Sequence, residues 1–78
     1  MIRSLKGTIE AVGDNNLVIS VNNIGYLVNT PTARQTYLFG DEIFLHTHLA
    51  VRENSLDLYG FLEKNELTLF ELLLGVPK

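Results

Sequence analysis

Through roughly the first sixty residues, apolar side chains recur at every second position, and a period of two puts them on one side of an extended strand. Leu5, Gly7, Ile9 and Ala11 share one face of the first such stretch, and Ser4, Lys6, Thr8 and Glu10 share the other. Gly7 in mid-strand predicts a bulge or sharp coil, which a small barrel needs in order to close. The turn cluster Gly13-Asp14-Asn15-Asn16 leads into a second strand with Leu17, Ile19 and Val21 on one face. Asn22-Asn23 makes the next turn, and Gly25 to Asn29 forms a third strand, completing a meander with short connections.

Thr30-Pro31 then predicts a short helix through TARQTYLF, with Thr30 as cap and Pro31 in the first helical position. Gly40-Asp41 ends it. In the fourth strand Ile43, Leu45, Thr47, Leu49 and Val51 face one way, and Phe44, His46, His48, Ala50 and Arg52 the other. A tight turn at Glu53-Asn54 joins it to a fifth strand from Ser55 to Phe61, and asparagine suits a turn position with positive φ. From Glu63 the period changes to a helical one carrying Leu67, Phe70, Leu73 and Leu74, with Gly75 and Pro77 as stop signals. Leu69 and Leu72 make its last two turns apolar nearly all round, so this helix is expected to pack on more than one small domain supplies. The fold class expected is mainly β: an OB-type Greek-key barrel with a short intervening helix and a C-terminal helix. An SH3-like barrel is the nearest competitor, and the helix between the third and fourth strands favours OB.

Charge narrows the function classes. The chain carries 9 acids against 6 cations, a net charge of −3, and its cations are scattered at Arg3, Lys6, Arg34, Arg52, Lys64 and Lys78. A nucleic-acid contact must therefore be local, or supplied mainly by segments outside this chain. There is no cysteine, which removes disulfides and thiolate metal sites. No apolar run approaches the roughly 20 residues of a membrane span, and Arg3 to Glu10 is too polar for a signal sequence. The expected setting is soluble and cytoplasmic, with no membrane partner.

His46 and His48 lie on one strand face within reach of a common metal ion, with Asp41, Glu42 or Asp57 as a third ligand. A polar strand face in solvent or at a subunit contact is the favoured alternative, and no metal or other cofactor is expected. Ser4, Ser20 and Ser55 lack a nucleophile context, Asp41-Glu42 sits beside a glycine turn, and no glycine-rich phosphate loop exists, so no catalytic site is expected. Tyr26, Tyr37, Tyr59 and the phenylalanines are candidates for stacking bases, but without neighbouring cations they are expected in core and interface. The tip Arg52-Glu53-Asn54 fits either a solvated turn or a partner contact.

Several segments resemble the N-terminal part of the RuvA family, the Holliday junction-binding subunits of bacterial branch-migration complexes. MIRSLKGTIEAV resembles the family's opening strand around Leu5-Lys6-Gly7. Residues 22–31 resemble its G-V-G-Y-x-V-x-x-P strand through Ile24-Gly25-Tyr26, Val28 and Pro31. THLAVRENSLDLYGF, residues 47–61, is similar to T-H-x-x-V-R-E-D…L-Y-G-F. ELTLFELLL, residues 66–74, resembles the helix opening the family's second domain, and GVPK a shortened G-V-G-P-K hairpin. The resemblance implies an OB domain over 1–62 and the start of a truncated helix-hairpin-helix domain over 63–78.

It further implies a homotetramer that holds four-way junction DNA open and works with a RuvB-type ATPase motor in recombination and repair. The subunit so implied is the non-motor part of an ATP-dependent DNA helicase complex. Two adjacent acids at the family's hairpin tip form a pin at the junction centre. By position they correspond to Glu53 and Asn54, so one acid is retained, with Arg52 beside it to hold a phosphate or brace Glu53. A generic OB module for single-stranded nucleic acid or a protein partner is the alternative.

Overall fold

The computed structural model describes residues 2–75. Five strands, β1 (Ser4–Val12), β2 (Asn16–Val21), β3 (Ile24–Asn29), β4 (Glu42–Arg52) and β5 (Ser55–Phe61), close into a barrel in the order β1-β2-β3-β5-β4. A short helix α1 (Ala33–Thr36) lies between β3 and β4, and α2 (Lys64–Leu74) follows β5. β1 pairs antiparallel with both β2 and β4, while β3 meets β5 in parallel at Asn29 and Tyr59. This closure, with a helix between β3 and β4, is the OB-type arrangement and removes the SH3-like alternative.

The core follows the alternation. Ile9, Leu17, Ile19, Val28 and Leu45 are fully buried inside the barrel. Thr47, also fully buried, is satisfied because its Oγ1 donates to the Ile2 carbonyl at 2.9 Å, while its N–H donates to the Arg3 carbonyl at 2.9 Å. That pair ties the chain's N-terminal segment to the middle of β4.

Several expectations are corrected. The bulge in β1 falls between Ile9 and Ala11, not at Gly7. The extra residue flips the alternation, so Ala11 is exposed and Val12 packs against the core. Gly7 is needed for space instead, since a Cβ there would run into the backbone carbonyl of Ser20. Thr30 does not cap α1. Its own N–H donates to the Asn15 carbonyl at 3.1 Å, and the Ala33 N–H donates to the Asp14 carbonyl at 3.0 Å. The β1–β2 turn therefore satisfies the helix start, with Thr32 in the left-handed region at φ 52°. The helix ends at Thr36 rather than continuing to Gly40-Asp41. Asn22 and Asn23 take positive φ, 50° and 68°, the mirror-image turn that matches strand twist. At the β4–β5 turn neither Glu53 nor Asn54 does.

α2 starts with a reciprocal capping box between Glu63 and Glu66 and ends at Gly75, whose φ of 82° closes the last turn. Leu67 is buried and Phe70 half-buried against the barrel, but Leu73, expected on the same face, is 79% exposed. Leu69, Leu72 and Leu74 are exposed with it, so the end of the helix beyond Glu71 is not seated. The shortened hairpin read at GVPK lies, beyond Gly75, outside the described residues.

Candidate nucleic-acid interface

The β4–β5 ribbon pairs Leu49 with Leu58, Ala50 with Asp57, Val51 with Leu56 and Arg52 with Ser55. Leu58 is buried in the barrel, yet two pairs further on, on the same face, Val51 is 62% and Leu56 69% exposed. The interior face of the ribbon thus emerges into solvent, and the hairpin overhangs the barrel end. Its two-residue turn, Glu53 and Asn54, is the exposed apex. Arg52 leans away from the apex: its Nη1 lies 3.8 Å from Asp57 Oδ2. Ser55 Oγ donates to the same oxygen at 3.3 Å. Asp57, which sequence reasoning considered only as a metal ligand, therefore holds both residues that flank the turn.

The outer face of β4 and β5 lies under α2. Phe70 stacks against Tyr59 and Phe61, with ring centroids at 4.9 Å and 5.1 Å, and meets His48 edge-on at 6.0 Å. Beside it the carboxylate oxygen Oε2 of Glu71 accepts from Arg3 Nη1 at 2.7 Å and from His48 Nδ1 at 2.8 Å. An ionised carboxylate only accepts, so His48 carries its hydrogen on Nδ1. The hydrogen bond from Arg3 holds the Glu71 carboxyl below its ordinary range, against the opposing effect of burial, with His48 adding to the depression. This clamp, joining the N-terminal segment, β4 and α2, was missed in the sequence. Its one signal was a glutamate in an otherwise apolar helical turn.

The structure does not bring His46 and His48 to a common ion. His46 packs edge-on against Phe44 at 5.1 Å, whereas His48 is turned to Glu71. Among the described residues no group of three histidine, cysteine, aspartate or glutamate side chains is placed to hold a metal. Asp41 and Glu42 are exposed at the start of β4. Each arginine faces an acid, Arg34 Nε meeting Asp14 Oδ1 at 2.6 Å, so each arginine's charge is set against a neighbouring carboxylate. Among the described residues, no helix is long and apolar enough to cross a membrane.

Comparison with known proteins identifies the family of this barrel. The family described as "RuvA N terminal domain" matches residues 1–60. A Holliday junction branch migration complex subunit RuvA from Chloroflexus aggregans is 42% identical over 78 residues, covering 97% of this chain and 40% of its own length. The Leifsonia xyli subunit of the same name is 46% identical over 77 residues, covering 97% of this chain and 37% of its own. The chain spans about 40% of the length of the curated relatives it matches. With the family's domain matched over residues 1–60 and such relatives covering 97% of the chain, this chain belongs to the RuvA N-terminal domain family.

Proposed function

We propose that this chain is the N-terminal barrel of a cytoplasmic RuvA-type subunit that binds Holliday junctions during recombination and repair. Four copies form a platform on which a four-way DNA junction lies open, and the four hairpin apices gather at its centre. Residues 63–78 begin the helix-hairpin-helix domain that grips the duplex arms, and a RuvB-type ATPase supplies the motor. The observation that carries this reading is the overhanging, exposed apex with Glu53, in a chain that RuvA subunits match over 97% of its length. An acid held there repels phosphates and keeps the crossing strands from collapsing onto the axis. The scattered cations fit a domain that shapes the junction while other segments grip it.

The test is a chimera in which residues 1–75 replace the corresponding segment of the Chloroflexus aggregans subunit. It is expected to prefer a four-way junction over duplex and single strand in gel binding. A folded, tetrameric chimera with no such preference would remove the junction reading and favour the generic OB module.

Glu53 is tested in the same background. One charge about 10 Å from a phosphate in water is worth about 0.4 kcal/mol. Glu53→Gln removes four such charges from a tetramer, so junction affinity at low salt is expected to rise about tenfold. Asn54→Asp is expected to lower it by a similar factor, and both effects shrink as salt is added. Unchanged affinity in both variants, with fold and assembly intact, would place the apex away from the DNA.

A further inference from the structure

A groove that the junction reading does not use runs along the seam where β3 and β5 meet at Asn29 and Tyr59. Tyr59, Phe61 and Phe70 form its aromatic wall, Asn15, Asn29 and Asp57 line its polar side, and the groove, open to solvent, has a volume of about 470 Å³. A space of this size falls in the range of small-ligand sites, about 300–1,000 Å³. Its polar groups are half committed. Asn29 donates from Nδ2 to the Leu58 carbonyl at 3.3 Å, leaving its side-chain oxygen as an acceptor. Asn15 accepts the Thr32 N–H on its side-chain oxygen at 3.3 Å, leaving its amide nitrogen as a donor. Asp57 uses Oδ2 for Ser55 and Arg52, leaving Oδ1 to accept.

Flat aromatic surface beside two acceptors and one donor complements the edge of a nucleobase that offers N–H donors next to a carbonyl. Guanine presents that pattern, and thymine, with a single ring N–H between two carbonyls, does not. The position favours a base over other flat ligands. Asp57 pairs with Ala50, two pairs below the Arg52–Ser55 pair that closes the hairpin. That is about 7 Å along the strand at about 3.3 Å per residue, so the groove opens beside the apex. The acidic apex repels phosphates but not a neutral base, so a strand crossing it turns bases toward this face. Arg52, only 3.8 Å from Asp57 and largely exposed, stands at the rim where a flanking phosphate would lie.

We infer that this groove takes one unpaired nucleobase, guanine in preference to thymine, from a strand passing over the hairpin apex. The choice of ligand rests on the junction reading, but the groove is testable without a junction. The aromatic rings of this chain are followed by NMR while dGMP or dTMP, equal in charge, is added. Saturable shifts at Tyr59 and Phe70 are expected in the millimolar range with dGMP. Binding of dTMP is expected to be weaker by at least about fivefold, the low end of what one bidentate edge contact discriminates. Asp57→Asn is expected to erase that preference while Tyr59 and Phe70 still report stacking. No saturable shift, equal affinity for the two nucleotides, or shifts that follow protein concentration alone would overturn the assignment, the last giving the groove to a second copy. A chimera that selects junctions while the rings ignore dGMP sinks the groove alone. Saturable dGMP binding in a chain whose chimera ignores junctions leaves the groove standing and sinks only the junction reading.

Discussion

Gly7→Ala is expected to destabilise the barrel by on the order of 3 kcal/mol, the upper range for forcing an extra carbon into a packed site. At about 4–8 °C per kcal/mol for a domain of this size, its thermal midpoint should fall by about 12–24 °C. The cause is the double pairing of β1. Gly7 faces Ile43 of β4, and the next residue, Thr8, pairs with both Glu42 and Ser20. Here β1 passes from one neighbour to the other, and its backbone comes so close to β2 that a Cβ would collide with the Ser20 carbonyl. A strand carbonyl cannot swing aside as a side chain can, so relief requires β1 and β2 to separate. Gly25→Ala is the control. Its added carbon meets chiefly the end of the Val18 side chain, with Cγ1 at 3.3 Å, and should cost under about 1 kcal/mol. Melting curves by circular dichroism decide the matter. A Gly7→Ala midpoint within a few degrees of the parent would mean that the strands are not drawn together there.

The contrast between these two glycines shows what the sequence could and could not convey. Alternation made the strands legible because one face of each had to enter a core, and Leu17, Ile19 and Leu45 do. The bulge in β1 escaped because Ala11 and Val12 are both apolar, so either could have continued the inward face. The helix α1 was located but its cap was misassigned, since its first N–H is satisfied by the carbonyl of Asp14, far back in the chain. Local propensity carries no information about such partners. Likewise, two asparagine turns looked alike on paper, and only Asn22-Asn23 adopts positive φ.

The candidate site was legible to a different degree. The exposure of Glu53 and Asn54 followed from strand pairing, but their assigned role comes from family resemblance, because a charged turn by itself is chemically silent. What pairing could not disclose was the part played by Asp57, which joins the apex to the groove through Arg52 and Ser55. Nor could periodicity reveal that His48 is turned toward a helix 23 residues later in the chain.

That contact leads to the second large effect: Glu71→Gln is expected to cost about 2 kcal/mol at neutral pH. Hydrogen bonds to a charged group contribute about 1.5–3 kcal/mol each, reduced here because the Arg3 side chain is mostly exposed. The Glu71 side chain itself is only 12% exposed, and its single oxygen Oε2 takes both donors. Glutamine can present one oxygen to the two donors but carries no charge. The pH dependence has a definite sign. Because Glu71 titrates below the ordinary value of 4.5 when folded, its stabilisation is complete above that pH and is lost as pH falls through the lower, folded-state value. The midpoints of parent and variant should therefore differ by about 8–16 °C at pH 7 and converge in acid below 4.5. A gap that persists unchanged in acid would assign the loss to packing rather than to the ionised clamp. The functional consequence follows from where the clamp sits. α2 is seated on the barrel only as far as Glu71, which with Phe70 is the last contact before the exposed Leu72, Leu73 and Leu74. In the chimera, Glu71→Gln should leave the apex and the groove intact but loosen the angle at which any following domain leaves the barrel. Junction affinity should then fall without the change in salt dependence that Glu53→Gln produces.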